Sequence, residues 1–206
     1  MQPWFERLAD VPGIGYGAPS GSRRIMRFSR AVRPRVHISI FDGPGRENLL
    51  WPSETGETSA SPAQRWRSER LPEENDGSYA LRQLEEALEQ SGTVADYHFR
   101  IQGCCNALWS ARREHPELLT DLERLCLLDL RLLEVFPAML QVEGQPGVTL
   151  HVEACHRLVY LYEREGSLLE ALACAQRGQR LNQVTMANDI ERLRGRIASL
   201  EGEDAP

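Results

Sequence analysis

Apolar residues in the C-terminal two thirds of the chain recur at helical spacing. Between residues 79 and 89, Leu81, Leu84 and Leu88 fall on one side of an amphipathic helix, with Ser78 placed to cap it. The same period predicts helices over 96–113, 116–136, 148–164, 167–181 and 185–200. Pro116 sits in a first turn, where proline is tolerated, and Pro137 closes that helix. In the last helix Ile190, Leu193, Ile197 and Leu200 define a single stripe expected to be buried. Residues 137–147, with Gly144, Pro146 and Gly147, read as a loop.

The N-terminal third has a different grammar. Val36, Ile38 and Ile40 alternate with His37, Ser39 and Phe41, the period of two expected of a half-buried strand over 35–41. A second strand is expected over 24–32, with Arg33-Pro34 turning between the two and Asp42-Gly43-Pro44-Gly45 ending the pair. GIGYGAPSGS (13–22) reads as a loop, PSETGETSASP (52–62) as a linker, and 63–71 as a short helix around Trp66. Composition sharpens the border: residues 1–77 hold 8 Pro, 8 Gly and 4 Leu, whereas residues 78–206 hold 4 Pro, 8 Gly and 23 Leu. The expected organisation is therefore an Arg-rich, Gly/Pro-rich region with a short β-hairpin and linker (1–77), a helical repeat domain (78–201) and a disordered tail (202–206).

A shift of 50 residues superimposes part of the helical region on itself. Cys105, Leu108 and Trp109 fall on Cys155, Leu158 and Val159, while Leu118, Leu119, Leu122 and Leu125 fall on Leu168, Leu169, Leu172 and Ala175. Each copy reads as two helices with a break, at Pro116 in one and Gly166 in the other. The second copy, LVYLYEREGSLLEALACAQRGQRL (158–181), resembles a tetratricopeptide repeat. It has an aromatic on the first helix (Tyr162), a turn glycine (Gly166) and small residues at the helix crossing (Ala171 and Gly178). Ala175 stands where such repeats carry a large residue, and no proline closes the unit near Gln183. The resemblance covers roughly residues 96–182 and implies a mainly α fold of stacked antiparallel helical hairpins. It also implies a protein that binds peptides or proteins on a groove and does not catalyse. Trp109, Tyr160 and Tyr162 are the aromatic candidates for anchoring a partner there.

Charge adds a second feature. All 24 basic residues are Arg, so neither a lysine Schiff base nor a phosphate-loop lysine is available. Residues 1–50 carry 8 Arg against 4 acids, and the remainder 16 Arg against 26 acids. Arg23, Arg24, Arg27, Arg30, Arg33 and Arg35 place six cations within 13 residues, and alternate positions on paired strands would share a face. Such a face suits an acidic protein surface or phosphates, or it folds back on the acidic helices.

Other chemistry finds little footing. The glycines at 13, 15, 17 and 21 lack the strand–helix context of a dinucleotide fingerprint. No CxxC pair occurs, and Cys155 aligns with Cys105 as a packing position, although His151 and Cys155 have metal-ligand spacing. No GxSxG elbow occurs, and the paired acids Glu73-Glu74 and Glu85-Glu86 read as solvated faces. Asp129, amid leucines, is the acid expected to be buried, with Arg131, Arg157 or a backbone donor satisfying it. Cys104, Cys105, Cys126, Cys155 and Cys174 are odd in number, and four of the five lie in Leu-rich helical patterns, which suits reduced, buried thiols in a cytoplasmic protein. MQPWFERLAD lacks the features of a signal peptide, and no stretch reaches the apolar length of a membrane span.

The expected function is a non-enzymatic adaptor, bacterial or from a phage, without cofactor, metal or membrane partner. It would contact another protein or peptide through a helical-repeat surface, assisted by Arg23–Arg35. The alternatives are a nucleic-acid-binding accessory protein using the same Arg segment, and an enzyme with a site between the two regions.

Overall fold

The computed structural model describes residues 35–38, 47–141, 149–181 and 183–203. Contacts divide the chain into two compact units, Met1–Leu118 and Leu119–Pro206.

In the first unit, β1 (Arg35–Ile38), β2 (Glu47–Ser53) and β3 (Gly56–Thr58) form an antiparallel sheet in the order β1-β2-β3. Val36 lies opposite Leu49, and Trp51 opposite Thr58. Segment 52–62 is therefore not a linker. It holds the end of β2, a turn at Glu54-Thr55, all of β3 and the start of a helix. Trp51, 4% exposed, anchors the hairpin, and Gly56 at φ +131° adopts a conformation closed to residues with a Cβ. The polar turn concealed the strands because it lacks the usual Asn-Gly or Asp-Gly signal. The expected strand at 24–32, the Arg33-Pro34 turn and the loop at 13–22 lie outside the described residues.

The helix expected over 63–71 is a single turn, α1 (Pro62–Arg65), capped by the Ser61 hydroxyl, which accepts from the Gln64 N–H at 3.0 Å. It stops at Trp66, whose ψ of 130° leaves the helical region. Next come α2 (Asp76–Leu88) and α3 (Val94–Ala111). Asn75, not Ser78, caps α2: its side-chain oxygen accepts from the Ser78 N–H at 2.8 Å, so the helix begins nearly a turn earlier than expected. Thr93 and Asp96 form a reciprocal capping box on α3. The pair closes over Leu84, Leu88, Tyr97, Ile101, Cys105 and Leu108, and α1 is pinned to its loop by the Ala63 N–H, which donates to Ser91 O at 3.0 Å.

Pro116–Leu118 is a separate 3-10 turn rather than the first turn of the next helix. The second unit begins there with α4 (Leu119–Val135), followed by a 3-10 turn at Pro137–Leu140, then α5 (Glu153–Arg164), α6 (Leu168–Arg180) and α7 (Met186–Glu203). Helices pack in sequence order, α4 on α5, α5 on α6 and α6 on α7. Helix α5 starts later than the expected 148 because Thr149 bridges Gln141 and the Val152 N–H is taken by the buried Gln183 side chain at 2.9 Å.

The hairpin expected over 158–181 forms. Gly166, at φ +81°, turns the chain, and the Ser167 N–H returns to Tyr162 O at 2.8 Å. Gly178 and Ala171 are buried at the crossing. The other copy of the repeat straddles the division: α3 pairs with α2 in the first unit, and α4 with α5 in the second. The stripe on α7 is buried at Ile190 and Leu193 only; Leu200 is 54% exposed because the helix runs on past α6.

Candidate functional site

A groove of about 930 Å³ runs along α2 and α3 of the first unit. Tyr79, Ala80, Gln83 and Leu84 line it from α2, and Phe99, Arg100, Gly103, Cys104, Ala107 and Ala111 from α3. These positions fall on one stripe of each helix by the i, i+3, i+4 rule. Small residues, Gly103, Ala107 and Ala111, recur every four positions along its α3 side. A Cβ built on Gly103 meets nothing within 4 Å. Phe99 stands over the floor at 53% exposure.

Residues 66–75 form one wall, fixed by a polar network. Arg82 is the hub: its Nη2 donates to Glu74 Oε2 at 2.7 Å and its Nη1 to Glu86 Oε1 at 3.2 Å. The Arg82 guanidinium holds the Glu74 carboxyl down at about 2. Trp66 Nε1 donates to Glu86 Oε2 at 2.9 Å, and the Tyr79 hydroxyl to Ser68 O at 3.1 Å. Arg70 closes on Asp76 at 2.8 Å. These charges are spent on holding the wall in place.

Arg67 and Arg100 are arranged differently. Arg67 Nη1 donates to Gln64 O at 3.3 Å and Trp66 O at 2.7 Å, while Arg100 Nη2 donates to the same two oxygens at 2.6 and 2.8 Å. Arg100 Nε also donates to Ala63 O at 3.0 Å. Burial first, and then the charge of Arg67, lower the Arg100 pKa from its ordinary value, against a smaller opposing effect of Asp96. Two like charges are thus gathered on the carbonyls that end α1.

Arg23, Arg24, Arg27, Arg30 and Arg33 lie outside the described residues, and Arg35 is described only through its backbone in β1. Trp109 is on α3 of the first unit, half-buried, with the Arg112 guanidinium 3.8 Å above its ring. Tyr160 and Tyr162 are both on α5 of the second unit, on different sides. Tyr160 is 45% exposed, whereas Tyr162 is half-buried and donates to Glu123 on α4. His151 precedes α5 and stacks on His156 at 5.0 Å, while Cys155 is buried with its thiol pushed up to about 12, chiefly by burial, so the two do not share a face. All five cysteines are buried and outside disulfides. Asp129 is buried as expected, and Arg131 turns to Glu134 at 3.1 Å.

Among the described residues no group of three or more His, Cys, Asp and Glu side chains gathers as a metal site, and no helix is long and apolar enough to cross a membrane. Phe99, Gly103, Arg67 and Arg100 were not singled out from sequence. The four-residue recurrence of Gly103, Ala107 and Ala111 was the available signal for the floor, whereas nothing local marks Arg67 as a neighbour of Arg100. No family model, no curated protein and no solved structure matches the chain.

Proposed function

We propose that the chain is a non-enzymatic interaction protein, an adaptor whose α2–α3 groove receives a segment of another protein. The observation that carries this reading is the open, small-residue floor beneath an exposed aromatic: Gly103 faces empty space and Phe99 is 53% exposed beside it. Exposed aromatics at the edge of an apolar concavity commonly anchor partners. The stacking of α4 to α7, with its tetratricopeptide-like hairpin at 158–181, supports the same class of function. The six arginines between 23 and 35 supply electrostatic attraction toward an acidic partner and speed the encounter. Five cysteines outside disulfides suit the cytoplasm.

The test is a photo-crosslinking amino acid placed at position 99 of the full chain in its native cells, with position 195 on α7, also open, as the control. A discrete protein adduct from position 99 and none from position 195 supports the reading. Adducts from both alike, or from neither, would contradict it. An adduct to nucleic acid at 99 would favour the accessory-protein alternative.

A further inference from the structure

The groove carries a selective feature as well as a shape. Arg67 and Arg100 share the Gln64 and Trp66 carbonyls, and among the described residues neither has a carboxylate within ion-pair distance. The neighbouring Arg70 and Arg82 are, by contrast, closed onto Asp76, Glu74 and Glu86. Arg67 Nε and Nη2 and Arg100 Nη1 donate to nothing among the described residues, although the groups around them are held in place. Two anchored forks with donors to spare match the planar oxygens of a carboxylate, which prefers bidentate guanidinium contacts.

The rest of the groove decides what carries that carboxylate. The lining runs from Phe99 to Ala111 along α3, about 18 Å at the helical rise or a little over three helical turns, and continues to Glu114 beyond the helix end. Glycine and alanine every four residues let a helix backbone approach closely, as in helix-in-groove recognition. Charge is uneven along that length: Arg67 and Arg100 stand beside Phe99 and the end of α1, while Glu114 and Asp76, the latter already paired with Arg70, border the opposite end. A polyanion tracking the whole groove would meet Glu114. A single acid on an otherwise apolar helix face would not.

We infer that Arg67 and Arg100 form a carboxylate-reading site at one end of the groove, which takes an Asp or Glu side chain carried on the apolar face of a partner's amphipathic helix. The inference rests on the groove reading given under the proposed function and narrows it to a partner chemistry.

The experiment selects peptides of about three helical turns from a random display library on the immobilised full chain, then measures their affinities by fluorescence anisotropy. The proteins compared are the wild type, Gly103→Trp, Arg67→Gln and Arg100→Gln, each checked for fold by circular dichroism. Gly103→Trp fills the groove from a position where a Cβ meets nothing. Arg67 is exposed, so Arg67→Gln keeps the test intact if Arg100→Gln loosens α1. The expected result has four parts. Selected peptides carry an acid beside an apolar stripe, Gly103→Trp abolishes binding, and the Arg variants weaken it about tenfold or more. That weakening disappears for a peptide whose acid is replaced by its amide. Groove-dependent peptides that lack an acid, or that bind the Arg variants unchanged, overturn the carboxylate site and leave the groove standing. A selection without any groove-dependent binder overturns both. Displacement of the peptide by a short oligonucleotide at physiological salt overturns the acidic-helix assignment in favour of phosphate.

Discussion

The Sγ of Cys155 on α5 lies 2.9 Å from the point where Gly178 on α6 would carry a Cβ, and Met186 Cγ on α7 closes the same point from the other side at 2.7 Å. Three consecutive helices therefore meet over a hydrogen atom, and the small residue is a condition of their stacking rather than a helix-propensity accident.

Gly178→Val is expected to destabilise the chain by about 1–3 kcal/mol through overpacking. Gly195→Ala, on the exposed part of α7 where a Cβ meets nothing, should instead stabilise slightly, by up to about 1 kcal/mol. Urea unfolding of both variants checks the opposite signs; equal effects would deny the close approach.

Acid should loosen the wall of the groove through Glu74. Its carboxyl, hydrogen-bonded to Arg82, falls from 4.5 to about 2 in the folded chain. A depressed acid contributes stability above its unfolded pKa and loses it as pH falls through the folded value. The stability difference between wild type and Glu74→Gln is therefore expected to hold above pH 4.5 and shrink towards pH 2. Denaturant titrations of both proteins across that range measure it, and a difference that does not change with pH would remove the ion pair from the account.

His156 acts in the same direction at milder pH. Burial first, and then the stacked His151, lower its pKa below 6.5, with Asp189 and Glu153 opposing. The unfolded chain then binds the proton more readily, so stability is complete above 6.5 and declines as pH falls through the lowered folded value. His156→Gln should flatten this decline between pH 7 and 5. NMR titration of the His156 ring gives an independent reading, and a pKa above 6.5 would reverse the sign.

Thiol chemistry offers a check on packing. Burial raises Cys155 to about 12 and Cys174 to about 11, and Cys104, Cys105 and Cys126 are buried too. A disulfide reagent at pH 8 is expected to leave all five largely unmodified until the chain is unfolded. Rapid modification of the native protein would contradict the cores of both units.

The helical region was legible because its signals are local and redundant. Leucines at helical spacing located α4 and α6, and Gly166, Ala171 and Gly178 outlined the α5–α6 hairpin at the positions where turning and crossing demand small residues. Caps shifted by a few residues: the Asn75 side chain accepts from the Ser78 N–H, which places Ser78 inside the helix rather than at its cap. The β2–β3 hairpin was hidden by a turn without the usual residues, and the exposure of Leu200 by the absence of any sequence mark for where α6 stops covering α7. The groove was the least legible part. Its floor lay in a small-residue recurrence on α3, but its cations come from residues 67 and 100, which meet only because residues 66–75 are tied back onto α2 through Arg82, Glu74 and Glu86.

The most direct measurement of the central claim is an amide chemical-shift map of the nitrogen-15-labelled full chain titrated with a bound partner segment. Perturbations concentrated at Ala80, Leu84, Phe99, Arg100, Gly103 and Ala107 are the predicted result. A map confined to α5–α7, or to residues 23–35, would contradict the assignment of the α2–α3 groove as the docking surface.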